Sequence, residues 1–466
     1  MSVTEIAAGR WREAIAAELE DGARFAGGWA TGAAWRVALV TPDGATRGLT
    51  CAAIDGRVPT IVDLVPAADW DEREAHDLHG LGFDGHEPLR ALVAHPEAAE
   101  AWMTPVGGDG VHQVAVGPIH AGVIESGHFR FHTVGERILA MDPRLFYKHR
   151  GLERAAEGNG AADALAHAGR ACAACSVTNS VAYAHAVEDA LGLAPDRDLR
   201  VARTLLLELE RLYNHLHDIG ALCAGVGFAP GTMAFATLKD RAQRINEHLA
   251  GHRFLFGTVA VGAGAIAIDA TAADAARGVL RELRADAAAA WHELEFAGSL
   301  QARLDGVGVL DSAAALRLGA TGPAARAAGV LSDTRSESPR LWYGDSFTPS
   351  TPRLATGDVA ARLQLRAAEL ETSLELLDDL LSRPTAAGTT ATARPTQTLG
   401  LARVESPRGA TLAAVELTDG RVTRLHLRTG SYANWPALAH AARDNLLPDF
   451  PLINKSFELC YACVDR

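Results

Sequence analysis

The sequence predicts an α+β protein: a small mixed domain followed by a mainly helical body that carries β-hairpin extensions. Three observations carry this. Alternating apolar runs bounded by turn signals cluster towards the two ends of the chain. In the middle, Val201, Leu205, Leu209, Leu212, Leu216 and Ile219 fall at steps of three and four, which marks one buried helix face. A Gly-rich stretch, Thr104 to Gly110, reads as a linker between the opening unit and the rest. At 466 residues the chain is too long for one simple core, and the boundaries fall at 1–103 and 111–466.

The first unit opens on a helical pattern, Trp11 to Leu19, and continues in strand-like runs such as Trp35 to Val40. It closes on a polar cluster from Asp69 to Arg90. Beyond the linker, His112–Val116 and His128–Thr133 read as a strand pair around a turn containing Gly122, Ser126 and Gly127. After Tyr147 the pattern turns helical, with further helices near Phe235–Phe256, Ala272–Leu294 and Val359–Leu381. Arg383–Thr396, rich in Thr, Ala and Pro, is expected to be a loop. Strands return over Leu399–Glu405, Ala413–Leu417 and Val422–Leu427, and Asp419-Gly420 is a hairpin turn signal. A short helix around Trp435–Asp444 precedes the last cysteines, and no internal repeat is visible.

The formal charge of -13 argues against a nucleic-acid partner, which would call for a basic face. The longest weakly polar stretch, Phe254–Ile268, is rich in Gly and Ala and falls short of the roughly 20 residues a bilayer span needs. Met1–Arg10 lacks the charged-then-apolar profile of a signal peptide. The expectation is a soluble, cytoplasmic protein, unless a partner carries it elsewhere.

Six cysteines are present. Cys51 and Cys223 stand alone among apolar neighbours and read as buried packing residues. The other four form two Cys-x-x-Cys pairs. Cys172 and Cys175 lie just before a helical run ending near Leu191, and Cys460 and Cys463 lie at the end of the sequence. Two-residue spacing lets both thiolates of a pair reach one metal centre. Four thiolates could hold zinc, an iron-sulfur cluster or a bimetallic site. Structural zinc usually draws its pairs from about 15–20 residues apart. Here much of the chain lies between them, which favours a buried site clamped between distant parts of a large body. Four unrelated buried cysteines is the competing reading.

The flanking residues carry a resemblance. Arg170-x-Cys172-x-x-Cys175 and the closing Cys460-x-x-Cys463 resemble the large subunits of NiFe hydrogenases. Gly117-Pro-Ile-His-Ala-Gly122, Glu125-Ser-Gly-His-Phe-Arg130, Gly135-Glu136 and Tyr147–Glu153 are similar to the membrane-bound, energy-converting members. So are Arg241–Phe254, Gly319–Gly329, Glu405-Ser-Pro-Arg-Gly409 and Asp449–Arg466. In the first unit, Glu72-Arg-Glu74, Asp77-Leu-His-Gly80 and His86-Glu-Pro-Leu-Arg90 resemble the small peripheral-arm subunit of respiratory complex I. Such a fusion is typical of formate hydrogenlyase-type large subunits. The unit 1–103 then reads as a docking domain without a catalytic constellation, and 111–466 as the catalytic body.

The resemblance implies a Ni-Fe centre with CO and cyanide on the iron. Cys172 and Cys460 would be terminal nickel ligands, and Cys175 and Cys463 would bridge to iron. It implies Glu125 as a proton relay beside a terminal cysteine, and Arg408 as a fixed cation over the bimetallic site. It places Glu153 where the family helps hold a further ion, Mg or Fe. His120 matches the residue that faces quinone in the related complex I subunit. The implied partners are an iron-sulfur small subunit with a 4Fe-4S cluster, complex I-type membrane subunits and a maturation protease that cuts after a basic residue placed like Arg466. The implied location is the cytoplasmic face of the inner membrane, reached through those partners.

Four departures from the family pattern bear on reactivity. Ala173 and Ala174 stand where Gly is usual, Asn179 where His is common, Glu458-Leu459 where Asp-Pro is usual and Arg466 where many relatives have His. Two alternatives keep the fold without hydrogen chemistry: a complex I-like subunit shaping a quinone or structural site, and a zinc-stapled scaffold.

Overall fold

The computed structural model describes residues 3–120, 125–337, 340–343, 347–353, 355–383, 388–391 and 398–466. Gly122 of the expected turn, the end of the Gly117–Gly122 motif and most of the expected loop 383–396 lie outside the described residues.

In the first unit, β1 (Val3–Ile6), α1 (Trp11–Glu20), β2 (Arg24–Thr31), β3 (Ala34–Val40) and β4 (Thr46–Ala52) form a sheet with one helix against it. The sheet order is β1-β4-β3-β2, with β1 parallel to β4 and the other pairs antiparallel. Trp11, Ile15, Trp35, Val37 and Leu39 are buried together in its core. β5 (Arg57–Pro59) pairs in parallel with β6 (Gly82–Asp84), and α2 (Asp69–His79) lies between them in sequence.

α2 is where the polar cluster is spent. Glu72 is fully buried and accepts from the Thr60 hydroxyl at 2.6 Å and the Ile61 N–H at 2.9 Å. His86 bridges Glu72 at 2.9 Å and Asp69 at 3.2 Å. The carboxylate of Asp77 accepts the N–H groups of Leu92, Val93 and Ala94. These bonds fix the loop leaving the unit, because each buried backbone donor needs a partner.

Beyond the linker, β7 (Val111–Val116), β8 (His128–Val134) and β9 (Arg137–Arg144) form an antiparallel sheet, one strand more than the expected pair. The helical body follows: α3 (Leu152–Ala156), α4 (Leu165–Gly169), α5 (Ser176–Ala190) and α6 (Arg197–Gly225). A two-residue strand, β10 (Ala194–Pro195), precedes α6. Then come α7 (Ala229–Ala250), α8 (Ala270–Glu295), and four short helices, α9 (Gly298–Leu304), α10 (Ser312–Arg317), α11 (Gly322–Ala327) and α12 (Thr334–Glu337). α13 (Val359–Leu381) completes the bundle. Inside the expected loop, β11 (Thr390–Ala391) pairs antiparallel with β10.

α6 starts at Asp196, whose side chain caps the Leu199 N–H at 2.8 Å. Its apolar stripe is buried as the spacing predicts. The opposite side is buried as well, since Glu208, Glu210, Arg211, Asn214, His215 and Asp218 are all at most 1% exposed. α6 is therefore a central helix with an internal polar row, not a surface helix with one wet face.

β12 (Leu399–Ser406), β13 (Gly409–Thr418) and β14 (Arg421–Arg428) form an antiparallel meander. Asp419 and Gly420 both take positive φ, 50° and 76°, the conformation a type I′ hairpin turn requires. α5 packs across β12 and β13. The chain closes with α14 (Gly430–Ala441), α15 (Phe450–Phe457), which the sequence pattern did not suggest, and α16 (Ala462–Asp465).

The first unit seats on this meander. Trp29 and Ala38 bury against Leu399, Leu401, Leu412 and Ala414. Arg36 pairs with Glu416 at 2.6 Å, and Arg428 with the fully buried Asp71 at 2.8 Å. Among the described residues no helix is long and apolar enough to cross a membrane. Cys51 and Cys223 are buried packing residues, and burial pushes both thiols up.

His86 gives the first unit a pH signature. Burial opposes its charge, but hydrogen bonds to Asp69 and Glu72 outweigh burial and lift it from 6.5 to about 9. A raised folded value means its stabilisation is complete below 6.5 and fades as pH rises through 9. His86→Asn should therefore cost about 2 kcal/mol at pH 6. The deficit should shrink towards pH 9 in urea unfolding followed across that range. A deficit that does not change with pH contradicts this reading.

Candidate metal centre

The two Cys-x-x-Cys pairs meet. The sulfurs of Cys172, Cys460 and Cys463 all lie within 4.8 Å of one another. Cys175 is in hydrogen-bonding reach of Cys172 and Cys463. Cys172, Cys175 and Cys463 are buried and Cys460 is half-buried, and none forms a disulfide. Within each pair the loop folds back on itself: the Cys175 N–H donates to Cys172 Sγ at 3.2 Å, and the Cys463 N–H to Cys460 Sγ at 3.4 Å.

The polar row of α6 holds the first loop. Glu210 accepts the N–H groups of Val177 and Thr178 at 2.6 and 3.1 Å, capping the start of α5 just after Cys175. The Tyr213 hydroxyl donates to the Ala173 carbonyl at 3.1 Å, and Asn214 Nδ2 to the Ala174 carbonyl at 2.8 Å. The start of α14 holds the second loop. Ser431 accepts the Cys460 N–H at 3.0 Å, and the Thr429 hydroxyl donates to the Cys463 carbonyl at 3.1 Å.

Arg408 sits in the two-residue turn between β12 and β13, where Ser406 pairs with Gly409. It is 4% exposed, donates to Asn214 Oδ1 at 2.5 Å, to Asp218 Oδ1 at 2.8 Å and to the Glu458 carbonyl at 3.0 Å. One side chain thus joins α6 to the segment leading into Cys460. The turn reaches this position because glycines meet behind it. A Cβ on Gly409 (φ 120°) would sit 2.3 Å from Thr321 Oγ1, and one on Gly322 (φ 64°) would sit 2.4 Å from the Gly409 Cα.

The electrostatics follow from the geometry. Thiols of Cys172 and Cys463 turned towards Cys175 pull it down to about 6 against burial, with Arg408 adding to the effect. Cys172 is pushed up first by its hydrogen bond to Cys175, Cys460 by its bond to Cys172, and Cys463 by bonds to all three others. Such a set binds soft metals with release of the remaining thiol protons. Burial opposes the charge of Arg408, but Asp218 and Cys175 hold it protonated. Asp218 is held well below its usual range by Arg408 and Arg366, against burial.

Glu125 accepts the Ala462 N–H, inside the Cys460–Cys463 loop, at 2.6 Å. Burial and then the charge of Cys460 lift its carboxyl to about 6. Asn179, one helical turn beyond Cys175, is buried, and neither of its amide atoms has a hydrogen-bond partner among the described residues. His120 is half-buried, with its ring 6.2 Å from that of Tyr461. The donor set, four sulfurs with a fixed cation beside them, fits a thiolate-held centre of soft metals.

Glu153 stands elsewhere. Its Oε1 accepts from Arg466 Nη1 and the Leu427 N–H, each at 2.8 Å, and its Oε2 from Arg424 Nη1 at 3.2 Å. Glu74, Glu153 and His426 present ligand atoms within 4.8 Å of one another, but Arg466 lies between the two carboxylates, on both Glu153 and Glu74. Arg466, His426 and Arg424 together overcome burial and keep Glu153 well below the usual carboxylate range. The structure thus gathers Cys172, Cys175, Cys460, Cys463, Glu125 and Arg408 into one site, and puts Glu153 in a second cluster.

Sequence reading missed Glu210, Tyr213, Asn214, Asp218, Thr429, Ser431 and Glu74. Glu210, Asn214 and Asp218 recur every four residues and so share one face of α6, but that spacing alone does not separate a buried polar row from a solvated one.

The chain is similar to known proteins along most of its length. Residues 226–400 and 386–466 match the family "Respiratory-chain NADH dehydrogenase, 49 Kd subunit". Residues 45–106 match its 30 Kd subunit, and 150–224 match "Nickel-dependent hydrogenase". Hydrogenase-4 component G of Escherichia coli K12 is 32% identical, with 88% of this chain and 76% of that protein covered. Formate hydrogenlyase subunit 5 of the same organism is also 32% identical, with 88% and 77% covered. Among solved structures, a chain of the membrane-bound sulfane sulfur reductase, an archaeal respiratory membrane complex, superposes with a TM-score of 0.70 at 26% identity. That match covers 78% of this chain and all of the other. By these matches, this chain belongs to the large subunits of membrane-bound NiFe hydrogenases, with a complex I-like domain fused at its N-terminal end.

Proposed function

We propose that the chain is the catalytic large subunit of a NiFe hydrogenase complex and interconverts protons, electrons and hydrogen, 2H⁺ + 2e⁻ ⇌ H₂. One observation carries the reading: cysteine pairs from distant parts of the chain converge on one buried point that also receives Glu125 and Arg408. A quinone-shaping or structural subunit does not require four thiols in contact.

Cys172, Cys175, Cys460 and Cys463 would hold the Ni-Fe centre, with CO and cyanide on its iron. When bound, that centre supplies the redox chemistry of hydrogen. The protein's own groups do the rest. Burial of the thiols keeps bulk water away and strengthens every charge interaction nearby. Glu125 takes and releases a proton at its carboxyl, next to Cys460, the half-buried cysteine of the four. A carboxyl lifted to about 6 is poised for both directions near neutral pH. Arg408 supplies a positive charge whose position does not change, because three acceptors fix its fork.

The likeness to membrane-bound complexes supports peripheral attachment through membrane subunits. Electrons would enter from an iron-sulfur small subunit carrying a 4Fe-4S cluster, since only Cys51 and Cys223 remain in this chain and both are buried singly. The cytoplasmic face of the membrane and processing by a maturation protease belong to the same proposal.

Two outcomes test it, read as deuterium exchange from D₂ into water by the purified complex. Glu125→Gln should lower exchange by about 100-fold or more at unchanged metal content, with Glu125→Asp retaining part of it. A fully active Glu125→Gln enzyme contradicts the relay. Arg408→Lys keeps the charge but loses the fork, and should cost about 10-fold to 1,000-fold. Asp218→Asn should move the rate in the same direction, and an unchanged rate in both variants would remove Arg408 from the chemistry.

A further inference from the structure

The second buried cluster is built from three separate regions. Glu74 comes from α2 of the first unit, Glu153 from α3, and His426 from β14, where its ring stacks on Trp29 at 5.9 Å. His426 Nδ1 lies 3.4 Å from Glu153 and 3.9 Å from Glu74. Two carboxylates and an imidazole converging in this way form a ligand set for a divalent ion. The residue that reaches into the set is Arg466, 2% exposed, three positions past Cys463.

The guanidinium uses its fork on both acids. Nη1 donates to Glu153 and to the Leu427 carbonyl, and Nη2 donates to Glu74. Its Cζ lies 5.0 Å from the centroid of the Tyr432 ring. Arg424 supplies a second guanidinium on Glu153. The two carboxylates are therefore matched by two permanent cations. A divalent ion placed among them would add its charge beside two guanidiniums in a buried space, which is strongly unfavourable, even with Glu157 3.8 Å from Arg424. Glu153 would also have to surrender donors that already occupy both of its oxygens.

We propose that the Arg466 side chain is a built-in cation that replaces a divalent ion in the Glu74–Glu153–His426 cluster, so that this chain binds no metal there. The residues do not fit the further ion that the family likeness suggests at Glu153. Access is not the obstacle. A surface cavity of about 400 Å³ is lined by His79, His149, Glu153, Arg154 and Arg424 and opens against the cluster. What excludes the ion is charge already in place. A consequence is that the segment carrying Cys460 and Cys463 is tied to the first unit through Arg466 and Glu74 without any dependence on divalent metal.

The test uses Mn²⁺ as the probe on the purified full chain, read by electron paramagnetic resonance with detection of ¹⁴N coupling from His426. The wild-type chain should show no Mn²⁺ with ¹⁴N coupling. Arg466→Ala and Arg466→His should each gain one Mn²⁺, bound at least about 100-fold more tightly than to wild type; in Arg466→Ala its ¹⁴N coupling comes from His426, and adding His426→Ala to that variant should abolish it. One tightly held, ¹⁴N-coupled Mn²⁺ in the wild-type chain overturns the proposal, and this arm needs no variant to fold. Failure of both Arg466 variants, shown folded by circular dichroism, to gain the ion overturns it as well. Neither arm depends on nickel or on hydrogen turnover, so its outcome is separate from that of the hydrogenase reading.

Discussion

Closure of the thiol cluster rests on the polar row of α6. Glu210, Tyr213 and Asn214 fix the Cys172–Cys175 loop, and Asn214 and Asp218 fix Arg408, which in turn holds the carbonyl of Glu458 ahead of Cys460. A buried row of this kind is expensive unless every group is partnered. Here the partners are the two loops themselves, so folding the helix bundle and assembling the site are one event. His215 extends the row to Glu369 at 2.8 Å, and Glu369 meets Arg326 at 2.5 Å, which carries the network into α11 and α13. The same low dielectric that makes a lost partner costly also sharpens the field at the sulfurs.

The first unit takes part in this closure. Its sheet buries Trp29 on the β12–β13 strands whose turn carries Arg408. Asp71 pairs with Arg428, and Glu74 receives Arg466, so α2 contributes acids to both β14 and the end of the chain. The unit reads as a docking domain from its sequence, and its charged helix also forms part of the wall behind the cysteine loop. That arrangement gives a physical reason for the two parts to share one chain: their interface uses buried, complementary charges that would be unpaired if the parts separated.

Much of the fold was legible because local patterns carry it. Asp419-Gly420 announces a type I′ hairpin, the Val201–Ile219 stripe announces α6, and the paired cysteines announce a metal centre. The unread parts depend on distant partners. Glu210, Asn214 and Asp218 look like ordinary solvated helix residues until a second helix and a hairpin tip cover them. β9 (RILAMDPR) lacks clean alternation and is a strand because β8 pairs with it. α15 follows a short turn at Leu447–Asp449 and is too short for its periodicity to speak. Arg466 showed as a departure from a family pattern, but its pairing with Glu74 joins residues at opposite ends of the chain. No spacing rule reaches that far.

If the four converging cysteines hold nickel and iron, the metals and their ligands can be read directly. Metal analysis of the anaerobically purified complex, combined with infrared spectroscopy, tests this assignment most directly. Nickel should be found together with iron, with infrared bands from CO and cyanide on that iron, all lost in Cys460→Ser. Zinc alone, or no metal at the cysteines of the intact complex, would contradict it.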